Sequence, residues 1–184
     1  MRYVLFLMVF ICGCAFTNIT SFRDPAFPDK SFSCMVVCSS DPSFAYSQMI
    51  ENTLVSKLTN AGIKAFSSVA VVPPTRKYDM AEFSKAFIDF GCDGILLVDV
   101  TGGRKDVLYI PNQQGGANPL ITTQLNGKAT LIDRLTGRTV WVASANISHD
   151  TPIPFGNGIA SMIDSATSKL VSKLIEDKII FEKP

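Results

Sequence analysis

The sequence predicts a single α/β domain: a mixed sheet with three parallel strands in β-α-β-α-β order, followed by an antiparallel hairpin and a C-terminal helix. Three observations carry this. Short apolar runs near 32–38, 63–72 and 95–100 alternate with segments of helical period. Two alternating stretches flank Thr136-Gly137-Arg138, a hairpin signal. Ile159, Met162, Ile163, Ala166, Leu170 and Leu174 then fall on one helical stripe.

Each element has its local reason. Phe32 to Cys38 is a buried strand bounded by Ser39-Ser40-Asp41-Pro42, and the helix after it carries Ile50, Leu54 and Leu58 on one face before closing at Ala61-Gly62. Ile63 to Val72 is the next extended segment, stopped by Pro73-Pro74. Asp79 and Glu82 have the spacing of a capping box for a second helix, with Phe83, Phe87 and Ile88 expected to face inward up to Gly91. Ile95 to Val100 is the third strand. Short connections between these pieces imply right-handed crossovers and a parallel core.

Beyond Val100 the composition reads as loop around Thr101-Gly102-Gly103 and again over Asn112 to Pro119, with a short strand at Val107 to Ile110 between them. Thr122 to Leu135 and Thr139 to Ser148 form the hairpin, with Trp141, Ala143, Ala145 and Ile147 sharing a face.

The N-terminus is a different kind of segment. Met1-Arg2-Tyr3 precedes an apolar run from Val4 to Ile11, the length of a signal-peptide core and well short of the roughly 20 residues that span a bilayer. Ile11-Cys12-Gly13-Cys14 ends it and resembles the bacterial lipobox, in which small residues let a peptidase approach the backbone and the last cysteine takes the lipid. Residues 1–13 are thus expected to be a lipoprotein signal peptide, Cys14 the palmitate-bearing attachment site, and 14–30 a flexible tether broken by Pro25 and Pro28. An ordinary secretory peptide cut near Ala15 would leave Cys14 incidental. Ala15, where an Asp would signal retention, implies outer-membrane sorting in lipoproteins of this kind. Residues 31–184 are left as one domain.

Composition limits the partners. The chain of 184 residues has 17 basic and 16 acidic side chains, and a near-neutral body gives no electrostatic reason to expect a nucleic-acid partner. Cys34, Cys38 and Cys92 remain in the folded part. Cys34 and Cys38 lie four apart on one strand, too far to bridge, so the cysteines read as small buried residues outside any disulfide framework.

Phe90-Gly91-Cys92-Asp93-Gly94-Ile95-Leu96 and Asp133-Arg134-Leu135-Thr136-Gly137-Arg138-Thr139-Val140-Trp141 resemble paired motifs of envelope lipoproteins. That group includes the curli-secretion lipoprotein and the lipoprotein activators of penicillin-binding proteins. The resemblance implies an α/β domain in the cell envelope, anchored by lipid and facing the periplasm, that serves another envelope protein. No long amphipathic hairpin of the kind a channel-forming relative inserts stands out in the sequence.

Chemistry is sparse. The single histidine, His149, lies beside Asp150 in an expected loop, no G-x-S-x-G is present, and Cys34 with Cys38 lack a second pair of metal ligands. Asp99 interrupts an apolar strand and marks its exit. Phe155-Gly156-Asn157-Gly158 lacks the Lys and Ser/Thr of a phosphate loop and reads as a helix start with Asn157 as cap. No cofactor, metal or catalytic residue is expected. If the loops after the parallel strands share one sheet edge, Arg76, Lys77, Arg104 and Lys105 form a basic rim for an anionic partner. The expected function is a binding or accessory module for an envelope protein, with an oligomeric secretion or trafficking component as the alternative, and an envelope hydrolase as a third that would need His149 beside Asp99, Asp133 or a serine.

Overall fold

A computed structural model describes residues 16–75, 79–111, 116–152 and 158–181. Its elements in chain order are β1 (Phe16–Arg23), β2 (Cys34–Ser39), α1 (Phe44–Asn60), β3 (Lys64–Ser67), α2 (Ser68–Val71), α3 (Met80–Phe90), β4 (Gly94–Pro111), β5 (Ala117–Asp133), β6 (Thr139–Pro152) and α4 (Gly158–Glu176). The six strands form one sheet in the order β1-β6-β5-β4-β2-β3. The β3-β2-β4 side is parallel and the β4-β5-β6-β1 side antiparallel, as the expected mixed architecture requires.

β2 lies between parallel neighbours and is covered on both faces, which its unbroken apolar run requires. Met35 and Val37 join the main core with Ile50, Leu54 and Leu58 of α1 and with Ile163, Leu170 and Leu174 of α4. Val36 points the other way, into a smaller cluster with Phe87 of α3 and Cys92. So α1 and α4 cover one face of the sheet, while α3 and its neighbours cover the opposite face only at the β2 edge. Trp141 of β6 is fully buried under α4, and its indole Nε1 donates to Asp177 at 2.7 Å.

The two sequence motifs do structural work and meet. Asp93 Oδ1 accepts from the Cys34 amide at 2.9 Å, and Oδ2 accepts from the amide and hydroxyl of Ser33, both at 3.0 Å, which fixes the start of β2. Asp133 Oδ2 accepts from the hydroxyl of Thr136 at 2.8 Å and from its amide at 3.2 Å. Gly137 closes that turn at φ 67°, where a side chain would be strained. Between the motifs, the Arg134 amide donates to the Asp93 carbonyl at 3.1 Å.

The structure corrects several expectations. Residues 16–23 are not a tether but β1, paired with β6 from Phe16 opposite Ser148 to Arg23 opposite Trp141. Its inward polar side chains find partners on and beyond α4: Thr17 with Ser165, and Ser21 with Asp177. Cys34 is bridged to Cys92, with Cα atoms 4.8 Å apart. The bridge joins two segments 58 residues apart, a pairing that spacing within one strand does not reveal. Residues 63–72 do not stay extended; the carboxylate of Glu51 takes the Ser68 amide and hydroxyl and turns the chain into α2. Asp79 and Glu82 do form the capping box. In α3, Phe87 is buried but Ile88 is 53% exposed, and the Phe83 side chain lies outside the described residues.

The region beyond Val100 departs furthest. Thr101-Gly102-Gly103 is not a loop: a bulge between Val100 and Gly103 absorbs the glycines and β4 runs on to Pro111. Asp99 is therefore internal to the strand, opposite Lys128, and accepts from the Ser40 hydroxyl. β2 accompanies β4 only as far as Val98. From there β4, β5 and the end of β6 form a ribbon, and a long hairpin that the sequence hid is present.

Two buried or half-buried carboxylates make a pH prediction. Burial pushes the Asp133 carboxyl up, but the Lys30 ammonium 2.9 Å away and the Thr136 hydroxyl and amide outweigh it and hold it below the usual range. For Asp177 burial is again outweighed, here by Ser21, Trp141 and Lys173. A lowered carboxylate stabilises the fold above its unfolded value of about 3.9 and loses that contribution as pH falls. Stability is expected to be level from about pH 7 to 5 and to drop steeply below about pH 4. Asp133→Asn should cost about 3 kcal/mol at neutral pH and flatten the acid limb. Urea titrations at three pH values check this; parallel acid losses in wild type and variant would refute it.

Candidate functional site: an apolar cavity at the root of a β-ribbon

Alternation along the antiparallel strands gives the sheet two unlike faces. Away from α1 and α4, a polar surface carries Asn18, Thr20, Asn126, Lys128, Ser144 and Asn146. Toward the helices the residues are apolar and mostly small: Ala129 on β5, Ala143 and Ala145 on β6, with Gly127 among them. Small residues on the sheet and a gap between the amino ends of α1 and α4 leave a cavity of about 710 Å³. That volume falls in the range of roughly 300–1,000 Å³ typical of ligand sites.

Its walls are aliphatic. Ile19 of β1, Val98 and Val100 of β4, Leu125 of β5 and Ile147 of β6 face Ile50 and Leu54 of α1 and Ile159, Ile163, Ala166 and Leu170 of α4. Ile19, Val98, Val100 and Ile159 are only half-buried, so apolar surface is left without the contacts a filled core supplies. The one buried hydroxyl on the wall, Thr167, is spent on the Ile163 and Asp164 carbonyls at 2.7 and 3.0 Å. The other polar lining residues are Asp41 and Tyr46 at the amino end of α1 and the exposed Asn126 and Lys128 of β5. Such a wall suits a flexible apolar ligand and has no buried group to orient a polar one.

Beyond the cavity runs the ribbon. Val107 and Tyr109 of β4 are 50% and 70% exposed. Opposite them on β5 stand Ile121 and Pro119. The β4 backbone from Asp99 onward has β5 on one side and no strand on the other among the described residues, which makes it a sheet edge there.

The expected site residues are placed as follows. Cys14, Arg76 and Lys77 lie outside the described residues. Arg104 and Lys105 belong to β4, opposite Gln124 and Thr123, so they are not in a loop after a parallel strand and the common-edge argument for a basic rim fails there. Asn157 lies outside the described residues. His149 is in β6, not in a loop, and pairs with Thr123. Asp133 is ten residues further along β5, about 33 Å at the usual strand rise, and Asp99 stands opposite Lys128, five residues from Thr123. The register thus separates His149 from Asp99 and Asp133, two of the three partners named for the hydrolase alternative. Among the described residues no cluster of His, Cys, Asp and Glu forms a metal site. The cavity itself was missed, because Ala and Gly on a strand read the same whether the space above them is filled or empty.

No protein-family model matches the sequence, and no curated protein is detectably similar to it in sequence. Solved structures do share its shape. A PelC variant dodecamer from Paraburkholderia phytofirmans is 18% identical, with 85% of this chain and 98% of that one covered at a TM-score of 0.51. A lipoprotein from Neisseria meningitidis is 22% identical over 77% of this chain and 99% of its own, at a TM-score of 0.49. At these identities the likeness concerns the fold alone.

Proposed function

We propose that the chain is a lipoprotein anchored through Cys14, facing the periplasm from the outer membrane, and acting as a binding module for another envelope protein rather than as an enzyme. The β4–β5 ribbon carries this reading, since it holds exposed Val107 and Tyr109 and a β4 edge that no strand covers among the described residues. An open edge and exposed aromatics are the ordinary means of protein docking. The Cys34–Cys92 bridge supports an exported, oxidising setting. The narrower kinship with the curli-secretion and penicillin-binding-protein activator lipoproteins rests on the two turn motifs.

A second reading, an oligomeric secretion or trafficking component, is favoured by the same open edge, which a second copy can cover. The similarly folded PelC forms a dodecamer.

Intact mass of membrane-extracted protein tests the anchor: wild type should begin at Cys14 with added acyl mass and Cys14→Ser should not. Crosslinking in the same membranes tests docking. Val107→Asp with Tyr109→Asp should reduce the crosslinked adduct at least tenfold while leaving the melting temperature within about 2 °C. An adduct with a second copy of the chain would select the oligomeric reading, and an undiminished adduct would remove the ribbon from the interface. Replacing Arg76, Lys77, Arg104 and Lys105 with Ser in parallel tests the basic rim.

A further inference from the structure

The cavity has the size, wall chemistry and position of a receptacle for a single alkyl chain. At about 30 Å³ per methylene, the share of one water in the liquid, sixteen carbons fill roughly 480 Å³, which fits within the 710 Å³ available. Ile19, Ala145, Ile159 and Leu125 offer only hydrocarbon, the Thr167 hydroxyl is already satisfied within α4, and the polar lining residues Asp41, Tyr46, Asn126 and Lys128 are all at least partly exposed, so no buried polar group orients a ligand. A ligand that needs none is a saturated or monounsaturated chain whose polar end stays outside.

The first strand says where such a chain comes from. β1 supplies Ile19 to the cavity wall, opposite Ala145. Cys14 precedes Phe16, where β1 begins, by two residues. Even fully extended, the backbone places Cys14 within about 17 Å of Ile19, and a sixteen-carbon chain of about 1.5 Å bonds zigzags to roughly 19 Å. We infer that the cavity shelters one acyl chain carried by Cys14 of the same molecule. This inference rests on the lipid-anchored reading above. A chain tethered this closely faces the cavity at an effective concentration of about millimolar, which gives it precedence over a free lipid. The other chains on the same cysteine stay in the bilayer.

The test uses full-length protein in its native membranes, with p-benzoylphenylalanine replacing Ile159 at the rim of the cavity. On irradiation the benzophenone carbonyl takes a hydrogen from a nearby C–H and joins the resulting carbon, so an alkyl chain in reach is captured covalently. Digestion and mass spectrometry should return the residue-159 peptide joined to the Cys14 lipopeptide. Ala145→Phe and Ala166→Phe, which fill the space, should lower that product at least tenfold, with the milder Ala145→Leu lowering it partly. Circular dichroism reports that these variants are folded. A product joined to membrane phospholipid instead would overturn the assignment to Cys14, and absence of any lipid adduct would overturn the receptacle altogether. Intact mass of the same sample separates the premises: an unmodified Cys14 removes the anchor and the self-held chain together, while an acylated Cys14 without the adduct removes only the latter.

Discussion

Cys92→Ser is expected to lower the unfolding free energy by about 4 kcal/mol, the chain-entropy cost of releasing a loop of this size. The bridge to Cys34 closes 58 residues, covering β2, α1, β3, α2 and α3, so its loss frees most of the parallel half of the domain in the unfolded ensemble. Cys92 is also buried beside Val36 and Phe87, which adds a packing term to the entropic one. Urea titration of Cys34→Ser, Cys92→Ser and the double variant measures this. Once either half is gone the second substitution should cost little, because both act through one bond. Cys38 does not compete: burial, then the nearby Glu51 charge, pushes its thiol up to about 12, leaving it a poor attacker in exchange. If reductant leaves the wild-type midpoint in place, the bridge contributes nothing and the argument falls.

Glu51→Ala should cost about 3 kcal/mol, because it takes the buried acceptor away from three part-buried donors at once. The carboxylate is buried within α1, where one oxygen accepts from the Ser39 amide at 2.9 Å and the Ser68 hydroxyl at 2.8 Å, and the other from the Ser68 amide at 3.0 Å. It ties the end of β2 to the turn from β3 into α2. Glu51→Gln keeps one acceptor oxygen and should recover about half of the loss. Equal unfolding midpoints for the Gln and Ala variants would show that the hydrogen bonds are not what matters there.

The parts of this fold legible in the sequence were those whose cause is local. The apolar stripes of α1 and α4, the Asp79–Glu82 box and the Thr136-Gly137 turn each follow from residues within one or two helical turns. The parts that escaped depend on distant partners. β1 has one inward aliphatic residue, Ile19, and its polar Thr17 and Ser21 are satisfied only by Ser165 and Asp177, so its apolar alternation is nearly silent. The β4 extension was masked by Gly102-Gly103, whose bulge is meaningful only with β5 alongside. Glu51 reads as an ordinary exposed helix acid until Ser39 and Ser68 are seen around it. For the candidate site the deficit is larger, since an empty space is made by what several elements omit.

The placement of β1 also sets an order of events. Its first residue stands opposite Ser148, so in a chain that emerges amino end first this strand has no partner until β6 has emerged as well. In the lipid-anchored reading proposed above, residues 16–23 trail until then as a slack leash, and a processing enzyme acting at Cys14 meets no folded strand beside it. Completion of β6 then draws the leash in and, in that reading, seats the domain close against its anchor. On the lipid-anchored reading, maturation at the amino end and closure of the sheet become successive steps, with the second withdrawing the substrate of the first.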